Sequence, residues 1–278
     1  KKKKMTEVAD LNTARIGMGS GGADNKSAIT FGGDSPSVTG QTETWTGSAW
    51  TEENDFNTAR YYNAGSGIIT SALASGGYVS GAARADTEEW TGAGVAVGAW
   101  STGGTMNTAR NNPQAAGTQT AGLAFGGVAP PNTGVTETYD GTTWTEVNDM
   151  NTARGQGGGS GTQTSALCYG GEDPGNARDL TESWNGTNWT EVNDLNTARN
   201  LGSGSAGADN TSALLFGGSP TPAATELWNG TNWTSVNNLN TGRYNMAGSG
   251  IATAALGYGG TSGPPVQAVT ESWNGTNW

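Results

Sequence analysis

Histidine is absent from the 278 residues, and that removes much of enzyme chemistry at once. No Ser-His-Asp or Cys-His nucleophile can be assembled, and histidine cannot ligate a metal. Cys168, the one cysteine, cannot build a thiolate zinc site or an internal disulfide. It lies in the apolar run Ala166-Leu167-Cys168-Tyr169, which predicts a buried, inert thiol. Carboxylates remain. Paired carboxylates can hydrolyse glycosides, and carboxylate oxygens can hold calcium. Asp34 and Glu172-Asp173, each placed after a Gly-Gly pair, are the candidates. Nothing around them has the form of a calcium loop, so they read as solvated charge, and no metal or cofactor is expected. No glycine-rich phosphate loop is present.

The charged residues that do recur, recur in register. The string Asn-Thr-Ala-Arg, with Gly242 once in place of Ala, ends at Arg15, Arg60, Arg110, Arg154, Arg199 and Arg243. A Glu-x-aromatic step follows at Glu43, Glu88, Glu137, Glu182, Glu226 and Glu271. A catalytic site needs one special pair, whereas six copies argue for structure. Each Arg is expected to make charge-assisted hydrogen bonds to a repeated Glu or to backbone carbonyls between blades.

These landmarks belong to a repeat of 44–50 residues, and a repeat sets the fold. After each Arg comes a Gly-Gly pair, as at Gly32-Gly33 and Gly170-Gly171; a second Trp closes each unit, from Trp50 to Trp278. The fourth unit reads as four strands over 156–160, 165–169, 180–184 and 189–192, with Asn185-Gly186 as a hairpin turn. Four-stranded units of this length are propeller blades. The chain therefore reads as all-β: a single six-bladed β-propeller of antiparallel four-stranded blades over residues 5–278. Lys1–Lys4 form a basic tail that reads as extraneous to it. The repeated Trp residues read as packing between blades.

The order Arg, Gly-Gly, aromatic, Trp resembles the kelch repeat. The tryptophan–aspartate repeat family is less similar, since it wants Gly-His and Trp-Asp. The wording Trp-Asn-Gly-Thr-Asn-Trp-Thr-Glu-Val-Asn-Asp-Leu-Asn-Thr-Ala-Arg is also similar to kelch-like repeats of marine bacteriophage proteins, which implies a virion or extracellular location. Copper oxidases of the galactose oxidase kind need His ligands, which this chain lacks. Ser183-Trp184-Asn185-Gly186-Thr187-Asn188-Trp189 only imitates the sialidase box, one residue short and without its Asp.

The chain reaches Trp278 where a fourth strand should begin, and Thr6-Glu7-Val8-Ala9-Asp10-Leu11 matches Thr190-Glu191-Val192-Asn193-Asp194-Leu195. The N-terminal strand is therefore expected to complete the last blade, with Met5 at the Trp position, leaving no unpaired edge. Blade two departs from the pattern: its hairpin, residues 91–99, is longer, and Gly103-Gly104 replace side chains in its fourth strand.

Net charge is −11, or −15 with Lys1–Lys4 set aside, nine basic against 24 acidic residues. A nucleic-acid-binding basic face is excluded on that balance. No apolar run approaches the roughly 18 residues of a membrane span, and a soluble protein is expected.

Comparing the six copies shows where recognition would sit. The hairpin between third and fourth strands is nearly constant, whereas the segments after Arg and after Gly-Gly vary. Blade topology puts both on one face around the central channel, and loops on a rigid scaffold carry recognition. The candidate binding residues are Tyr61, Tyr62, Asn63, Asn111, Asn112, Gln156, Asn200, Tyr244 and Asn245. Tyr and Asn suit polar ligands. The expected function is a non-enzymatic recognition module of the adhesin or receptor-binding type, taking a glycan or protein on a host surface. The alternative is a structural or decoration component of a virion or other assembly, packing on a partner protein.

Overall fold

The computed structural model describes residues 8–92, 98–173, 175–200 and 204–278. It is a ring of six blades, built from antiparallel strands paired in chain order. Among the described residues there is no helix, so none is long and apolar enough to cross a membrane. Blade 4 shows the logic. Its strands are Gly158–Thr162, Ser165–Tyr169, Thr181–Trp184 and Trp189–Val192. The second strand is apolar along Ala166, Leu167, Cys168 and Tyr169 and buried throughout, because both its faces are covered by neighbouring blades. The innermost strands line the channel and must be small. A Cβ on Gly65 would stand 2.3 Å from the backbone nitrogen of Ser20 in the preceding blade. The first strand of blade 4 begins two residues later than the sequence pattern predicts, since Gln156 has a φ of 59°, which no strand residue adopts.

Blade 6 has three strands among the described residues, Ala247–Ile251, Ala254–Tyr258 and Thr270–Trp273. The N-terminal segment docks beside the third. Asp10 accepts a hydrogen bond from Thr270 N at 3.0 Å, and Leu11 N donates to Ala268 O at 2.9 Å. Blade 4 makes the same two bonds within a continuous chain, from Thr181 N to Asp194 and from Leu195 N to Asp179 O. Val8 packs on the cluster of Trp45, Trp50 and Tyr258 that fills the seam. The pairing expected of Met5 to Glu7 lies outside the described residues.

Two repeated contacts close the ring. The second Trp of every blade donates its indole N–H to the third-strand threonine of the preceding blade at 2.9–3.1 Å; Trp50 reaches Thr270 across the seam. Further out, Asn148, Asn193 and Asn237 each clasp the next blade's hairpin through its backbone carbonyl and an Asn side chain.

The repeated charges form six buried ion pairs, Arg15–Glu43 through Arg243–Glu271. The sequence leaves their setting open between blades; each pair instead lies within one blade and ties the incoming link to that blade's third strand. The carboxylate is saturated. Glu43 takes Arg15 on one oxygen, and the backbone N–H and side-chain amide of Asn12 on the other at 2.8 and 2.9 Å. This explains the Asn of the motif. The glycine pair has its own reason. Gly33 N donates to the carbonyl of Arg60, the arginine of the next blade. A Cβ on Gly32, whose φ is 66°, would sit 2.4 Å from that same oxygen. Burial pushes the guanidinium pKa of Arg15, Arg60, Arg110, Arg199 and Arg243 down, and the partner glutamate pulls it back only in part. The pairs thus specify geometry more than they add stability, while breaking one strands a buried charge.

The anomalies of blades 2 and 3 answer one another. Gly104 occupies the position of the clasping Asn148, and a Cβ there would stand 2.1 Å from Thr142 O. No Asn clasp can form. In its place Tyr139, which stands where other blades have Trp, carries a hydroxyl to Glu89 at 2.5 Å and accepts from Gly104 N at 3.2 Å. That short bond, together with burial, pushes the Tyr139 pKa up to about 12, with burial the larger cause. The rest of the long hairpin of blade 2, residues 93–97, lies outside the described residues.

Two expectations follow. Deleting residues 5–10 should lower the melting temperature by more than about 10 °C, at roughly 2–4 °C per kcal/mol for a chain of this size; an unchanged melting curve would refute N-terminal closure. Arg154→Ala should cost about 3 kcal/mol in denaturant unfolding by leaving Glu182 buried and unpaired. Ligand binding should be unaffected, and lost binding at unchanged stability would contradict the structural role.

Candidate functional site

The two variable segments of each blade are hydrogen-bonded to one another. The residue after each Arg forms a bridge to the residue after Gly-Gly: Ile16 with Asp34, Tyr61 with Tyr78, Asn111 with Val128, Gly155 with Glu172, Asn200 with Ser219 and Tyr244 with Thr261. Both sets of loops therefore share one face.

The next residue turns inward. Gly17, Tyr62, Asn112, Gln156 and Asn245 all adopt left-handed φ, between 49° and 64°. Their amides are linked around the channel mouth: Gly17 N donates to Asn245 O, Tyr62 N to Gly17 O, Asn112 N to Tyr62 O and Gln156 N to Asn112 O, at 2.7–3.4 Å. The equivalent Leu201 lies outside the described residues.

The nine predicted residues thus separate into two circles. Tyr62, Asn63, Asn112, Gln156 and Asn245 line the mouth; Tyr61, Asn111, Asn200 and Tyr244 stand one position further out, in the bridges. Asn63 is buried, with neither amide atom hydrogen-bonded among the described residues. Its Nδ2 lies 2.4 Å from where a Cβ on Gly19 would be, so it wedges between blades 1 and 2. Gln156 and Asn200 each donate to one oxygen of Glu172, Asn200 at 2.8 Å, and Asn132 donates to the Glu172 carbonyl at 2.7 Å. These amides are held in place. Asp173 meanwhile pairs with Arg178.

The aromatic part is concentrated at blade 2. Tyr61 lies tilted against Tyr62, with centroids 4.6 Å apart and ring planes at 48°, and Tyr78 meets Tyr61 edge-on at 5.7 Å. Tyr62 also covers Gly17, where a Cβ would come within 2.7 Å of the ring. Burial, then the negative charge of Asp34, pushes the Tyr61 pKa up; for Tyr62 the order is burial, Tyr61, then Asp34. Tyr78 and Asp34 belong to this group, although the sequence marks only their loops as variable. The signal that joins them to Tyr61 is the bridge pattern, which requires the blade register.

The cavity at the mouth is about 120 Å³ and the channel beneath it about 250 Å³. Both fall below the roughly 300 Å³ of sites that engulf a small molecule. Their lining holds no carboxylate, amine, guanidinium or thiol; Tyr62 is its one ionisable side chain among the described residues. Cys168 is fully buried, and burial pushes its thiol up to about 11.

No protein-family model matches this chain, and no curated protein sequence does. The solved structure of YjhT is similar over 95% of both chains, with a TM-score of 0.75 at 13% identity. That likeness is one of fold: the protein is a β-propeller.

The left-handed mouth is testable. Gln156→Gly and Gln156→Val both remove the bond to Glu172, but only valine pays for a positive φ. The valine variant should be less stable than the glycine variant by about 1–2 kcal/mol in denaturant unfolding, and equal stabilities would show that the mouth geometry is not held in solution.

Proposed function

We propose that this propeller is a non-enzymatic recognition module that binds glycan on a host surface through its variable loop face. The observation that carries the reading is the contact group of Tyr61, Tyr62 and Tyr78 beside the channel mouth. Aromatic rings with hydroxyl tips join an apolar plane to a hydrogen-bonding edge, which is the pattern a sugar ring presents in return. The amides of Asn111, Asn112, Gln156 and Asn200 extend a polar surface around the mouth. The small, uncharged channel supports surface recognition over enclosure of a substrate. The resemblance of the repeats to bacteriophage sequences supports a place on a virion or outside the cell.

A glycan array probed with the wild-type protein and the Tyr61→Ala/Tyr62→Ala double variant tests this. Selective binding to a subset of glycans, lost in the variant at an unchanged melting temperature, is expected. Binding to none would overturn the glycan reading in favour of contact with a protein.

A further inference from the structure

Taking the glycan reading as its basis, we infer that the tyrosine group of blade 2 selects uncharged sugars and rejects glycans bearing carboxylate, sulfate or phosphate. The argument begins with a census of positive charge. The described residues contain one lysine and eight arginines. Six of the arginines are buried in the ion pairs with the repeated glutamates. Lys26 lies in the turn between the first two strands of blade 1, at the opposite end of the blade from the variable loops. Arg84 and Arg178 are left, and both are on the loop face. Each is already held by a carboxylate of its own loop, Arg84 by Asp86 at 2.6 Å and Arg178 by Asp173.

An anionic sugar is normally recognised by a guanidinium free to make two parallel hydrogen bonds. Here each such guanidinium already carries a carboxylate, which neutralises its charge and competes with an incoming anion. It would also approach the Asp34 carboxylate, whose negative charge acts on Tyr61 and Tyr62, on a chain of net charge −11. A neutral sugar meets none of these costs. Its C–H face can lie on the rings, and its hydroxyls find hydrogen-bonding groups without internal partners. Among the described residues, the hydroxyls of Tyr61, Tyr62 and Tyr78 make no hydrogen bond with one another or with neighbours, while their backbones are fixed by the Tyr61–Tyr78 bridge. Asp34, whose side chain pairs with no cation among the described residues, adds an acceptor for a sugar hydroxyl.

The test uses the intact chain against immobilised oligosaccharides ending in glucose, galactose or mannose, beside sialylated, uronate-containing and sulfated counterparts. Binding to a neutral set is expected, with little change between 50 and 500 mM salt (on the order of the range over which exposed charges become screened). Tyr78→Ala should weaken it about tenfold, the scale of one lost aromatic contact, and Arg84→Ala should leave it unchanged; melting curves confirm that both variants fold. Binding confined to acidic glycans, or neutral binding indifferent to Tyr78→Ala, would overturn the inference while leaving glycan recognition standing. Binding to no glycan would overturn both.

Discussion

The buried arginine–glutamate–asparagine unit is the constraint on which the rest of the structure depends. Each link between blades arrives at a fixed place because its Asn and Arg saturate one carboxylate on the third strand of the blade it enters. The strong desolvation of both charges means that any other arrangement leaves one of them unpaired. That penalty is a geometric specification applied six times around a circle. The tryptophan–threonine bonds between blades, and the glycine pair that receives the next arginine's carbonyl, can be satisfied only once the links are so placed.

The same unit explains why one face can vary. The loops after Arg and after Gly-Gly start from anchored residues, and they bridge to each other through backbone atoms. Side chains there contribute little to holding the ring, so Tyr61 and Asn111 can occupy equivalent bridges. The opposite face has less freedom, since its turns between first and second strands carry Asn25, Gln119, Gln163 and Asn210, whose side-chain amides each donate to a backbone carbonyl of the preceding blade.

Much of this was legible in the sequence. Six copies of Asn-Thr-Ala-Arg, Gly-Gly and two aromatics give the blade count, the strand order and the shared face, because spacing alone carries that information. The match of Thr6–Leu11 to Thr190–Leu195 anticipates the docking of Asp10 and Leu11 on blade 6. What spacing does not carry is direction. Asn63 resembles its neighbours in type, yet it is wedged between blades, and Tyr78 joins Tyr61 only through a bridge across two loops. The start of the first strand shifts for the same reason: left-handed φ at Gln156 comes with the chain of amides around the mouth, and Gln has no intrinsic preference for it.

The junction of blades 2 and 3 has a consequence for how such a ring changes over generations. Repeats with interchangeable edges can be duplicated, deleted or shuffled one at a time. Blades 3, 4 and 5 offer the same asparagine, and blades 4, 5 and 6 receive it on the same hairpin. Gly104 and Tyr139 break that equivalence, since each makes sense only beside the other. Exchanging either blade alone would set Tyr139 against an asparagine or Gly104 against a tryptophan, so this junction is kept only when the two blades move together.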